Sequence, residues 1–263
     1  MNPRVRLSIL SIAVFSSLSP IVWTLLASFG IRPDSQRISL DAYRDVQVFE
    51  SRFVSEVLTS FTVALIVAAL AVTLGLLVAH ALEQRHFKSR GWIVQALLLL
   101  SSLPILALLN GLSATLRTLG LQDTISSVAL AETALYAPLA AFVMFGHLRS
   151  LPESLPDAAR LEGADTWTTL WKIILPSSVP ALLSTGVLVF VLSWNQVLMP
   201  LVLSTNLKLL PVALVDVFVF ERELEWPTAA AALSVSLVPL WLIVAFAFRW
   251  LERFSLLLDF EER

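Results

Sequence analysis

The sequence predicts an all-α membrane protein with six transmembrane helices, and three observations carry that prediction. Only 14% of the 263 residues are charged, against about 25% in soluble domains, while 57% are hydrophobic and the mean hydropathy is +0.81. Six apolar stretches are long enough to cross about 30 Å of hydrocarbon at about 1.5 Å per helical residue. None of them alternates polar with apolar residues, as the strands of a membrane barrel do.

In chain order the stretches are 7–29, 57–82, 92–112, 126–148, 179–203 and 228–250. Arg4 and Arg6 precede the first apolar core, as in a secretory signal, but its length and the lack of a small-x-small cleavage site indicate a retained helix, kinked at Pro20. Asn110 and Gly111 read as the outer terminus of the third helix. Arg85, Lys88 and Arg90 crowd the short loop 83–91 and mark it as cytoplasmic by the positive-inside rule. Arg32, Arg37, Arg44 and Arg52, after the first helix, run against that rule beside Asp34, Asp41, Asp45, Glu50 and Glu56. With loop 83–91 inside, both termini and segment 151–176 face the cytoplasm. Segment 204–227 then joins the last two helices outside. Without a repeat of 20 to 50 residues, 1–263 reads as a single membrane domain.

Composition narrows the function. A net charge of −2 with scattered basic residues excludes a nucleic-acid surface. There is no cysteine, and His80, His86 and His147 do not have metal-ligand spacing, so no metal site is expected. An ion-coupled secondary transporter calls for paired intramembrane charges or inverted repeats. An intramembrane enzyme needs a nucleophile with a base, or a metal set. The residues supply neither pattern, and no catalytic residue is assigned.

The polar segment 151–176, LPESLPDAARLEGADTWTTLWKIILP, stands apart from its apolar surroundings. Ser154 with Asp157 three positions on forms a capping-box pattern, and Pro156 suits a first turn, so a short helix starts there. Leu155, Ala158, Ala159 and Glu162 follow at i, i+3, i+4 and i+7, a small-residue face able to lie against another protein. Gly163 fits the left-handed position that ends a helix. A second helix begins near Asp165 or Thr166. Its stripe of Trp167, Leu170, Trp171 and Ile174 is expected to pack on the bundle until Pro176 and Pro180 break it. The plainer reading, an amphipathic helix lying on lipid, calls for lysines and arginines where Glu153, Asp157, Glu162 and Asp165 stand.

The run DAARLEGADTWTTLWKIILP resembles the EAA loop of permease subunits in binding-protein-dependent ABC importers. The family pattern is EAA, three residues, Gly, then an apolar Leu-Pro. Asp157, Ala158, Ala159, Gly163, Leu175 and Pro176 match it, with Asp157 in place of the usual Glu. FVLSWNQVLMPLVL at 190–203 and LLPVAL at 209–214 look like the WN-containing fifth helix and the LPV loop of the smaller permease in maltose and glycerol-3-phosphate type importers. LGLQDT at 119–124 and segment 60–87 also look like that family. The tail LERFSLLLDFEER departs from it, lacking the usual small, glycine-containing end.

The resemblance implies a six-helix permease subunit that translocates a sugar or sugar derivative across the bacterial inner membrane by alternating access. Segment 151–176 would be its coupling loop, with Asp157, Ala158, Ala159, Leu161, Glu162, Gly163 and Ala164 meeting an ATPase. The partners implied are a second permease, two ATP-binding subunits, an extracytoplasmic solute-binding protein and membrane lipid. The chain has no G-x-x-x-x-G-K-[ST] loop, so ATP and magnesium would sit on the partner ATPase. Gly163→Asp is expected to leave the protein in the membrane and uncouple hydrolysis from uptake. A permease for polyamine, peptide or another small solute shares the same loop and stays open as an alternative.

Trp194, Asn195 and Gln196 fall in the middle of the fifth stretch, where unpaired amides are expensive in hydrocarbon. Two readings stand for them: they line the substrate path and bond sugar hydroxyls, or they form interhelical bonds between subunits. Glu132, near the outer end of the fourth stretch, is assigned to the path or to a snorkelling role. A proton relay is the weaker reading, because no second intramembrane carboxylate stands near it in the sequence. Segment 204–227 is read as reaching toward the binding protein, or as a plain solvated loop.

Overall fold

The computed structural model describes residues 3–31, 38–48, 51–83, 89–152, 154–220 and 226–261, and their regular structure is helical throughout. Arg85 and Lys88 of the loop 83–91, Glu153, and Glu221 to Glu225 lie outside the described residues. The helices are α1 (Pro3–Ser28), α2 (Asp41–Val48), α3 (Ser51–Glu83), α4 (Arg90–Ser101), α5 (Ile105–Thr118), α6 (Ile125–Leu148), α7 (Ser154–Leu161), α8 (Thr166–Thr169), α9 (Leu175–Ser177), α10 (Val179–Trp194), α11 (Leu198–Leu203), α12 (Leu210–Phe220) and α13 (Trp226–Glu261). One π turn, Leu170–Ile174, joins α8 to α9.

Four helices are each long and apolar enough to cross a membrane: Val5–Ser28, Phe53–Glu83, Ile125–Leu148 and Trp226–Glu252. Two bent pairs bring the number of candidate spans to as many as six. The all-α membrane fold read from the sequence therefore holds, with two spans broken rather than straight.

The breaks follow from proline. The expected third helix, 92–112, divides into α4 and α5 with a 91° bend between them. Pro104 caps α5 at φ −60°, ψ 126°: it offers no N–H to a continuing helix and keeps the residue before it out of the helical region. Asn110 accordingly lies inside α5, not at a terminus. Before Pro176 the backbone widens into the π turn, because a proline has no N–H for the carbonyl four residues back and its ring crowds that carbonyl. The chain then bends 74° at Ser178, between Ser177 and Val179. Pro20, Pro138 and Pro239, in contrast, lie within uninterrupted helices.

The chain packs as two units, Met1–Leu58 with Val212–Leu240 and Thr59–Pro211 with Trp241–Arg263. In the first, Ala42, Ala231 and Ala232 form a small buried cluster capped by Tyr43, Phe53 and Leu214. The hydroxyls of Ser28 and Tyr43 bond at 2.8 Å, fixing the end of α1 on α2. The sides of α1 stay exposed along its length, as suits a helix facing apolar surroundings.

In the second unit α3 and α6 approach closely at Gly75. A Cβ there would sit 2.8 Å from the Ala140 carbonyl carbon and 2.9 Å from the Ala141 nitrogen, so only glycine admits this backbone contact. One end of the two helices carries an apolar cluster: Leu76, Ala79 and Leu82 from α3, and Met144, Phe145 and Leu148 from α6. Segment 204–227, read as reaching toward a binding protein or as a plain solvated loop, holds α12. Leu209 and Leu210 are buried, and the Leu210 N–H donates to Ser60 Oγ at 2.7 Å.

Candidate functional site

Two places on this scaffold gather polar residues: the α7–α8 segment and the point where α10 stops. The first is a helix, a turn and a helix. Gly163 takes φ +83°, and the Ala164 N–H reaches back to the Ala159 carbonyl at 2.9 Å, the bond that closes a helix on a left-handed residue. Asp165 then caps α8, accepting from the Thr168 N–H at 2.9 Å. The hydroxyl and N–H of Thr168 hold the Asp165 carboxyl below the usual carboxylate range. Helix start, turn and second helix stand where the residue pattern put them.

The predicted small-residue face is open except at one position. Ala159 is buried against its own chain, whereas Ala158, Glu162 and Gly163 are exposed and Leu161 is 91% exposed. Ala164 is half-buried. Of the predicted stripe, Leu155, Ala158 and Glu162 are thus open to another protein and Ala159 is not, and Leu161 adds to the open surface; the side chains of Pro156, Asp157 and Arg160 lie outside the described residues. Similarly, only half of the second stripe packs. Leu170 and Ile174 enter the apolar cluster of α3 and α6, whereas Trp167 and Trp171 remain 61% and 56% exposed. Trp171 lies within the π turn, whose wider turn moves it out of a 3.6-residue stripe, whereas Trp167 precedes that turn in α8. Trp171 borders an apolar groove of about 440 Å³ lined also by Val72, Leu183, Gly186, Phe190 and Phe246.

At the second place, Trp194 ends α10, and Asn195 and Gln196 form the break before α11, not the middle of a helix. Both amides serve the break. Asn195 Nδ2 donates to the Val191 carbonyl at 2.7 Å, and Gln196 Oε1 accepts from the Leu198 N–H at 3.1 Å. Trp194 is buried and stacks on Phe190 with ring centroids 5.9 Å apart, and Phe190 meets Phe61 edge-on. Asn195 is exposed and Gln196 half-buried.

Glu132 is fully buried and accepts from Ser193 Oγ, so it neither snorkels nor faces open solvent. The structure thus brings Glu132 together with the 194–196 triplet. It adds Tyr136 and Ser193, to which the sequence pattern alone assigns no role. The available signal was spacing: Tyr136 stands four residues after Glu132 on an otherwise apolar helix.

A third feature also escapes the sequence pattern. Asp123, half-buried at φ +55°, accepts from Ser204 Oγ at 3.0 Å, from the N–H groups of Thr205 (2.5 Å) and Asn206 (3.0 Å), and from Thr205 Oγ1 and Asn206 Nδ2. The Asn206 and Thr205 N–H groups hold its carboxyl down at about 2. The loop before α6 is thereby clamped to the loop after α11.

Helix, turn and helix braced on the end of a broken-span bundle define a class: a polytopic helical membrane subunit with a rigid polar projection. Residues 71–255 match the family of binding-protein-dependent transport system inner membrane components, and the chain belongs to that family. It is 28% identical over 249 residues to the sulfoquinovosyl glycerol transport system permease of Agrobacterium fabrum, covering 89% of this chain and 85% of that one. It is 29% identical to the trehalose/maltose transport system permease of Thermococcus litoralis, covering 88% and 87%. Its fold is similar to a chain in the crystal structure of a bacterial ABC transporter involved in the import of alginate, an acidic polysaccharide, with a TM-score of 0.71, 20% identity and coverage of 94% and 95%.

Proposed function

We propose that this chain is the permease subunit of an ABC importer that carries a sugar or sugar derivative across the inner membrane by alternating access. The observation that carries the reading is the α7–α8 projection, closed at Gly163 and braced by Leu170 and Ile174 on the ends of α3 and α6. A rigid arm of this kind transmits displacement instead of absorbing it. The sugar assignment is supported by relatives that carry transport names for trehalose, maltose and sulfoquinovosyl glycerol.

In this mechanism 1–263 acts as one permease domain with 151–176 as its coupling loop, and both termini are cytoplasmic. Leu161, Ala158 and Glu162 seat in a cleft of an ATP-binding subunit, with Asp157, Ala159, Gly163 and Ala164 shaping the helix and turn behind them. Two such subunits hold ATP and magnesium, and their closure moves the projection. Through Leu170 and Ile174 the displacement reaches α3 and α6, and through α10 it reaches Trp194, Asn195 and Gln196 beside the path. A second permease forms the other wall, a solute-binding protein delivers the sugar from outside, and no covalent chemistry falls to this chain.

The test is uptake by the assembled transporter in proteoliposomes. Uptake of a sugar, dependent on ATP and on the binding protein, is the expected result. Uptake insensitive to ATP would sink the coupling role, and uptake confined to polyamines or peptides would sink the sugar assignment.

A further inference from the structure

The end of α10 is held by side chains of α6. A helix ending at Trp194 leaves its last carbonyls without intrahelical donors, and in apolar surroundings each must find another. Val191 receives the Asn195 N–H and side-chain amide, and Ser193 receives the Gln196 N–H at 3.0 Å. Leu192 receives Tyr136 Oη from α6, at 3.2 Å. Tyr136 Oη in turn accepts from Gln196 Nε2 at 2.9 Å, and the other end of that amide caps α11. One turn back, Glu132 accepts from Ser193 Oγ. Residues i and i+4 share a helix face, so a single stripe of α6 grips residues 192, 193 and 196 together.

We propose that Glu132 and Tyr136 are positioning residues for transport: they fix the break between α10 and α11, so that Trp194 and Asn195 keep one orientation beside the path. Glu132 acts through its hydrogen bond to Ser193, not through its charge. A backbone break inside a membrane is held only where neighbouring groups satisfy it. Tyr136 satisfies the Leu192 carbonyl, and Glu132 fixes the side chain of the next residue, Ser193, both from a helix that itself packs on α3 at Gly75. The inference rests on the transport reading above, and its test separates the two.

Sugar imported per ATP hydrolysed is measured with the complete transporter in proteoliposomes. Glu132→Leu keeps the bulk but offers no acceptor to Ser193. It is expected to lower the ratio by about fivefold or more, the scale of leaving a buried polar group unsatisfied. Glu132→Gln, whose amide oxygen accepts the same bond, is expected to restore the ratio to within about twofold of the parent protein. A Gln variant as defective as the Leu variant would show that accepting the Ser193 bond does not carry the effect, and the proposal would fall.

A second measurement needs no transported sugar. The sequence has no cysteine, so Met199→Cys, at a buried position just past the break, reports loosening as thiol labelling in the same assembled complex. Labelling is expected to accelerate about tenfold when Glu132→Leu is added, and to stay slow with Glu132→Gln. Val63→Cys, buried in α3, controls for general unfolding and should not change. Unchanged labelling of Met199→Cys in the Leu variant overturns the proposal even if transport is robust. A parent protein without ATP-driven uptake overturns the functional reading alone.

Discussion

Asp123 accepts hydrogen bonds from three consecutive residues, Ser204, Thr205 and Asn206, and it holds them from a left-handed backbone position that few residues other than glycine, asparagine and aspartate tolerate. Asp123→Ala should therefore both strain the turn and release residues 204–206. Amide exchange of Thr205 and Asn206 in a nanodisc sample is expected to quicken by about an order of magnitude or more. The pH dependence has a definite sign. The folded carboxyl titrates at about 2, below its usual 3.8, so the clamp contributes fully above about pH 4 and is lost as the pH falls through about 2. Between about pH 5 and 8 the exchange of these amides should show no step from this carboxylate. At the same scale Leu161 presents a large apolar side chain to solvent. Leu161→Asp is expected to reduce co-purification of the ATPase while leaving the membrane level of the permease unchanged, because the side chain is 91% exposed and buries little within the chain.

Among elements, the contact of α3 with α6 and the turn between α7 and α8 depend on glycine for opposite reasons. At Gly75 the limit is space. Gly75→Leu must push α6 away, at a cost of about 1–3 kcal/mol or more from overpacking, read as a lowered thermal midpoint. Gly146→Ala on α6 meets open space and should leave that midpoint unchanged or slightly raised. At Gly163 space is free, and the limit is the backbone. Gly163→Val forces a β-branched residue into φ +83°, costing about 1–2 kcal/mol of local strain, while Gly163→Asn should be far milder. The expected signature of Gly163→Val is a transporter that assembles and hydrolyses ATP but imports less sugar per turnover.

For the molecule as a whole, the broken spans are the feature that a hydropathy profile smooths over. Long apolar runs reveal how many times the chain can cross, and here they point to six. They do not reveal where an axis turns. The 91° bend at Pro104 and the 74° bend at Ser178 place α5 and α10 differently from straight rods of the same composition. A transporter built this way has hinge-like discontinuities beside the coupling arm and at the break 195–197. If the arm drives the path through α10, substitution at the arm should alter the accessibility of Met199→Cys during ATP turnover. Unaltered labelling across the cycle would contradict that linkage.

The sequence by itself determined the helical membrane class, the projection and its turn, because these rest on local causes: apolar length, a cap at Asp165, a left-handed glycine. It also pointed to the family, through spacing around Ala158, Ala159 and Gly163. Only the tertiary structure turned Ala159 of α7 inward. It alone set Trp167 and Trp171 outward, moved Asn195 and Gln196 from mid-helix to a break, and joined Glu132 to Ser193. The physical reasons lie outside the local pattern. A π turn or a bend shifts the register of everything after it, and a buried polar side chain takes its meaning from a partner some sixty residues away, here 61 between Glu132 and Ser193, which no local pattern contains.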